Sequence, residues 1–229
     1  MEFDRPIRLT FGESLSYAHL KQVCFTLRYG GLCIIPSDTC YSLTALPFQR
    51  DAITRLSNIL PQKKKEPIPL AFGSLSLVEQ YVTLTAKDER LIDKYFPGPL
   101  TLVCKIGDQQ QRNKKILEDA LHTVGTIGVR IPDSPVERQI SIELQRPITT
   151  CAIRADDGTP IRNFDDAVSI VRERMKELKE QFSLFAVKMT RIKYHDVSTV
   201  ATTEDAIAPE PQELVAPYSI YIYRPGVIE

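Results

Sequence analysis

Three short stretches of this chain gather residues that could grip a small polar ligand. In PSDTCYSL, residues 36–43, an apolar run ends in Ser37, Asp38 and Thr39, with Tyr41 and Ser42 just beyond. Ser and Asp are favoured in strand-ending turns, and strand ends of open α/β sheets are also where ligands tend to bind. In GTIGVRIP, residues 125–132, strand alternation puts Ile127, Val129 and Ile131 on one face and Thr126, Gly128 and Arg130 on the other. Arg130 therefore looks out over a glycine, with room for a ligand beside its guanidinium. It could hold a carboxylate or phosphate bidentately, or be one more solvated arginine. In PITTCAI, residues 147–153, the same alternation pairs Thr149 with Cys151 as small groups lining a pocket or as satisfied members of a core strand.

Other chemistries are missing from the sequence. There is no GxxxxGK[ST], and no GxGxxG follows a strand, because Gly30 and Gly31 precede theirs. His19, His122 and His195 lack partners at metal-ligand spacing. Cys24, Cys33, Cys40, Cys104 and Cys151 are odd in number and form no CxxC, which reads as reduced thiols in a cytoplasmic compartment rather than disulfides or a zinc site. Twenty-nine basic residues cancel twenty-nine acidic ones, so a nucleic acid would have to find a local patch such as Lys63, Lys64 and Lys65. The amino terminus MEFDRPIRLT is charged where a signal peptide needs an apolar block, and no apolar run reaches the roughly 18 residues of a membrane span. The expectation is a soluble, unexported protein with no membrane contact.

The elements that must position these residues alternate along the chain. A composition of 43% hydrophobic and 25% charged residues over 229 positions suits a single globular domain spanning 1–229. Strands are predicted at 32–35, covered on both faces, then at 69–72, at 100–106, in GTIGVRIP and in PITTCAI. SLFAVKM, DVSTVAT and YSIYIYRPG read as closing strands. Helices are predicted at 51–60, at 136–144 and ending at 91–96. The clearest runs over 165–182, where Val168, Val171, Met175, Leu178 and Phe182 make one stripe and Asp165 and Asp166 suit the positive end of the dipole. Residues 203–217, acidic and proline-containing, read as a mobile surface loop. The order gives an α/β or α+β class with a mixed sheet.

Taken together, seven motifs resemble the YrdC/YciO family, whose enzymatic members are threonylcarbamoyl-AMP synthases of tRNA modification. Gly30-Gly31, PSDTCYSL, PGPLTLV, GTIGVRIPDSP, PITTCAI, DVSTV and YRPGVI stand where that family has GG, a PTDTVYGL-like motif, PGPLT, GVRxP, TSAN, STV and a final RPG. The resemblance implies a twisted mixed sheet with helices on its faces and a central concave cavity. It also implies a reaction: L-threonine, bicarbonate and ATP, with magnesium, give threonylcarbamoyl-AMP and pyrophosphate for tRNA modification, in some settings with partner proteins. Carried over by motif, Thr39 and Tyr41 contact threonine or line its pocket, Arg130 holds its carboxylate, and Thr149 and Ser198 lie beside it. Thr126, Cys151 and Arg224 lie on the nucleotide side.

The departures from that pattern also lie on the nucleotide side. Where the family carries a KxR pair, this chain has PQKKKEPIPL; a gapless register places Gln62 and Lys64 there, and a shift of one places Lys63 and Lys65. TSAN becomes Thr150, Cys151, Ala152 and Ile153. Lys63 and Lys65 can then join Arg130 as the cations of catalysis, with Lys64 on the phosphates, although lysine lacks the planar fork of arginine. Two expectations stand side by side: a synthase with an altered ATP grip, or a non-catalytic YciO-like relative binding a nucleotide, an amino acid or double-stranded RNA.

Overall fold

The computed structural model describes residues 6–10, 12–60, 68–179, 182–190 and 194–195 in full, and the backbone of the strands at 199–202, 213–215 and 220–224. Chain order begins β1 (Ile7–Thr10), α1 (Tyr17–Arg28), β2 (Leu32–Pro36), β3 (Tyr41–Thr44), α2 (Arg50–Ile59), β4 (Leu70–Ala71), α3 (Leu75–Val78), β5 (Val82–Thr83), α4 (Ala86–Tyr95) and β6 (Leu100–Ile106). It continues with α5 (Gln111–Leu121), β7 (Thr126–Arg130), α6 (Pro135–Leu144), β8 (Ile148–Thr149), β9 (Cys151–Ala152) and α7 (Phe164–Glu177). The strands β10 (Leu184–Thr190), β11 (Thr199–Thr202), β12 (Glu213–Val215) and β13 (Ile220–Arg224) close it.

The strands form two mixed sheets rather than one. The smaller runs β1-β10-β2-β3-β9 and the larger β12-β13-β11-β6-β7-β4-β8, with β5 pairing β6 off that path. Parallel pairs (β1 with β10, β10 with β2, β11 with β6, β4 with β7) sit beside antiparallel ones in both sheets.

The pleat decides which core each residue serves. Along β2, Leu32 and Ile34 enter one apolar cluster, with Leu43, Leu102, Ile127 and Val129, while Cys33 and Ile35 enter a second, with Val136, Ile140 and Leu144 of α6. The strand is thus covered on both faces, as its unbroken apolar run predicts. Gly31 is required at its start: a Cβ there would come within 2.6 Å of both the Ser183 carbonyl and the Thr26 side chain. That close approach lets the Leu32 N–H reach the Ser183 carbonyl at 2.9 Å and opens the β2–β10 pairing.

Local chemistry sets the helix ends. Ser134 caps α6 with Pro135 in its first turn, and Thr85 and Asp88 form a capping box on α4. The helix predicted to reach residue 182 ends at Glu177 instead, because Lys179 takes a left-handed φ of 54°. Val168, Val171 and Met175 keep the buried stripe, whereas Leu178 is exposed and Phe182 lies beyond the helix.

PITTCAI is also not one strand. β8 pairs β4 in the larger sheet and β9 pairs β3 in the smaller, so the chain crosses between sheets at Thr150. Within 203–217, Glu213–Val215 form β12 against β13; residues 203–212 and 216–217 lie outside the described residues. Among the described residues, no helix is long and apolar enough to cross a membrane.

Candidate functional site

The end of β2, the end of β7 and the start of α6 meet at one point. The Ser37 N–H donates to the Cys40 carbonyl at 2.9 Å, closing the turn after Pro36. α6 is clamped onto that turn twice: Ser134 Oγ donates to the Pro36 carbonyl at 2.9 Å, and the Asp133 N–H donates to Asp38 Oδ2 at 2.9 Å. Arg130, the last residue of β7, is 4% exposed and its Nη2 is ion-paired with Asp38 Oδ1. Ser37 Oγ lies 3.1 Å from Asp38 Oδ1 and 2.6 Å from Glu137 Oε2. Thr150 Oγ1 donates to Glu137 Oε1 at 2.6 Å and lies 3.2 Å from Ser42 Oγ. Among the described residues, the buried Nε of Arg130 has no hydrogen-bond partner.

Two carboxylates therefore face one guanidinium in a water-poor setting. Burial pulls the Arg130 pKa down, but the adjacent Asp38 and Glu137 more than reverse this and leave it raised. Burial pushes the Glu137 carboxyl up to about 7; Asp38 adds to the rise, while Arg130 and the hydroxyls of Ser37 and Thr150 oppose it. Such a network is costly to break, since removing one partner leaves the other charged and unpaired.

The predicted site residues separate when placed on this frame. Arg130 belongs to the cluster, and Thr39 follows Asp38 in the turn after β2. The Thr39 carbonyl accepts from Arg162 Nε at 3.3 Å, and its hydroxyl makes only a long 3.8 Å contact with Cys40 Sγ. The expected space over Gly128 is absent, because a Cβ there would meet Thr101 Cγ2 at 3.2 Å and the Pro69 Cα at 3.6 Å. The unpartnered part of Arg130 is its Nε edge instead.

Tyr41 is 1% exposed, with its hydroxyl donating to the Met189 carbonyl at 3.2 Å and accepting from the Met189 N–H at 3.0 Å. Its ring stands edge-on to Phe164 within the main core, so its hydroxyl is engaged on β10. Thr149 Oγ1 accepts from the Ala45 N–H at 2.9 Å and is fully buried, a stitch between the sheets rather than a ligand contact. Cys151 does not share a strand face with it; it packs in the core, where burial pushes its thiol up to about 12. Ile153, in the place of the family asparagine, is also fully buried there.

Thr126 begins the strand that Arg130 ends, about 13 Å away at roughly 3.3 Å per residue, and its hydroxyl meets that of Thr123 at 3.2 Å. Lys63, Lys64, Lys65 and Ser198 lie outside the described residues. Arg224 ends β13, opposite Val200 of β11.

Sequence reading missed Asp38 as the partner of Arg130, missed Glu137 entirely, and named Thr150 only as the first residue of the altered TSAN motif. The Asp38 signal was visible in PSDT but reads equally as a turn cap. Glu137 stands three residues after an N-cap serine, the capping-box spacing, yet its carboxylate reaches Ser37 and Thr150. Among the described residues, no three His, Cys, Asp or Glu side chains converge as metal ligands.

Residues 26–211 match the Sua5/YciO/YrdC family, described as "Telomere recombination". A Methanocaldococcus jannaschii protein provisionally named threonylcarbamoyl-AMP synthase is 26% identical over 176 residues, 77% of this chain and 76% of its own. Among solved structures, P. abyssi Sua5 complexed with L-threonine has a TM-score of 0.69 at 21% identity, covering 97% of this chain but 57% of that longer one. YciO of E. coli has a TM-score of 0.74 at 19% identity, covering 98% of this chain and 97% of its own. The folds agree in their two-sheet α/β architecture, and the chain belongs to the Sua5/YciO/YrdC family.

Proposed function

We propose that the chain is a threonylcarbamoyl-AMP synthase-like protein of tRNA modification that seats L-threonine against Arg130. The observation carrying this reading is the buried, unpartnered Arg130 Nε–H. An orphaned donor in the interior costs about 1–3 kcal/mol, and a ligand carboxylate would remove that cost while gaining a charge-assisted bond. P. abyssi Sua5 binds L-threonine, which supports the same ligand for the same fold.

In this reading the protein's own work is positioning. Asp38 fixes the guanidinium, Thr39 offers its hydroxyl, and Tyr41 with Phe164 closes the apolar side of the corner. Ser198 completes the threonine side. Lys63, Lys64, Lys65 and Arg224 supply the cations for ATP. The threonine amine bonds to the carbon of bicarbonate with loss of water, and an oxygen of the resulting carbamate attacks the α-phosphate as pyrophosphate leaves. Magnesium would travel with the ATP phosphates: Asp38 and Glu137 are taken by Arg130, Ser37 and Thr150 and form no cage for it.

The test is pyrophosphate release from ATP and magnesium by the purified protein. Release that requires both L-threonine and bicarbonate is the expected result. Ligand binding without release would favour the second reading, a non-catalytic YciO-like relative. That alternative has a specific observation behind it, because Cys151 and Ile153 both turn into the core and leave two fewer polar groups for a nucleotide.

A further inference from the structure

The Glu137 carboxylate has no part in the chemistry above, yet it is fully buried one hydroxyl away from the Asp38–Arg130 pair. We propose that Glu137 is a positioning residue for the ligand corner, which must hold a proton for a ligand carboxylate to seat against Arg130. This inference rests on the amino-acid reading and adds a requirement to it.

The coupling follows from hydrogen counting. Ser37 has a single hydroxyl hydrogen and two carboxylate oxygens in reach, Glu137 Oε2 at 2.6 Å and Asp38 Oδ1 at 3.1 Å. When Glu137 is ionised, Ser37 donates to it and Asp38 Oδ1 relies on Arg130 alone. When Glu137 holds a proton on Oε2, it donates to Ser37 Oγ, and the Ser37 hydrogen turns to Asp38. Asp38 then draws less on the guanidinium at Nη2, so the Nε–H, unpartnered in either state, binds a ligand carboxylate more strongly.

Charge gives the same direction. With both carboxylates ionised the cluster carries one net negative charge, and a ligand carboxylate would make it two in a low-dielectric site. With Glu137 neutral, the ligand adds the first. The groups that face Glu137 are few among the described residues: Asp38 and Cys40 from the turn after β2, Arg130 from β7, and the hydroxyls of Ser37, Ser42 and Thr150. Asp133, at the start of α6, reaches the cluster through its backbone N–H on Asp38. The backbone N–H of His195 also donates to the Asp38 carbonyl, at 2.8 Å. The rise of the Glu137 carboxyl to about 7 puts the proton's loss within the physiological range.

The test is L-threonine affinity by calorimetry at about pH 6 and about pH 8, for the intact protein and for Glu137→Gln. The ligand keeps its carboxylate and ammonium charges across that range. If only the protonated form is competent, the population factor predicts affinity about tenfold weaker at the higher pH, and a flat profile for Glu137→Gln. A flat profile in the unaltered protein, or a dependence that survives in Glu137→Gln, would overturn the inference while leaving the amino-acid reading in place. Absence of threonine binding at both pH values would overturn that reading and this inference with it. Should Glu137→Gln fail to fold, Ser37→Ala removes a hydroxyl that holds the Glu137 carboxyl down, so the fall in affinity must move to higher pH; an unmoved profile would overturn the inference.

Discussion

The Arg130 corner and the 149–153 segment were both singled out as ligand-lining, and they have opposite fates. At Arg130, polar side chains from three elements converge and one donor is left over. Between Thr149 and Ile153 the chain changes sheets, and every side chain that looked available is spent: Thr149 on the Ala45 N–H, Cys151 and Ile153 on the core. The difference lies in what each backbone allows. β7 is a continuous strand, so alternation correctly keeps Arg130 off the face of Val129. β8 and β9 are two residues each and belong to different sheets, so a two-residue period has nothing to run along.

The largest effect that would sharpen this contrast is expected from Arg130→Ala. It should abolish L-threonine binding and cost about 3–5 kcal/mol of stability by leaving Asp38 buried without its partner. Calorimetry and denaturant unfolding check the two parts. Unchanged threonine affinity would move the ligand elsewhere, and unchanged stability would deny the ion pair.

Next is the converse change, Cys151→Ser with Ile153→Asn, which restores the family's polar residues. Because both sites are sealed in the core, the double variant should lose roughly 2–5 kcal/mol without tighter ATP binding. A rise in ATP affinity would show that these positions reach the nucleotide after all, and would break the comparison.

A smaller effect concerns pH. Because Glu137 titrates near 7 in the fold against an ordinary value near 4.5, the folded protein holds the extra proton between those values. Its contribution to stability is therefore full below about 4.5 and is lost as pH rises through about 7. Thermal unfolding of the unaltered protein should show this decline relative to Glu137→Gln. Parallel curves would place the proton elsewhere. The smallest change is Thr149→Val, which removes one buried hydrogen bond for about 1–2 kcal/mol; threonine affinity, measured alongside, should not move.

What could be read in advance follows the same division. β6 coincides with its predicted range, and β2, α2 and α6 fall within a residue or two, because each is an apolar run or stripe bounded by turn residues. α1 was not predicted: Tyr17, Phe25 and Tyr29 stay exposed while Leu20, Val23 and Leu27 are buried, which blurs its stripe. α5 was not predicted either: its buried stripe is short, Leu117, Ala120 and Leu121 at the end of an otherwise polar run. At the site, Arg130 was legible because one strand sets its direction. Its partners were not, since Asp38 and Glu137 lie about a hundred residues apart and meet only when α6 docks on the turn after β2. A charged residue in the first turn of a helix otherwise reads as a match to the dipole.

The position of the bound amino acid is decisive. A crystal structure of the protein with L-threonine, grown near pH 6, should show a ligand carboxylate oxygen within hydrogen-bond distance of Arg130 Nε while Nη2 keeps its contact with Asp38. Threonine bound away from Arg130, or an Nε still without a partner beside a bound ligand, would contradict it.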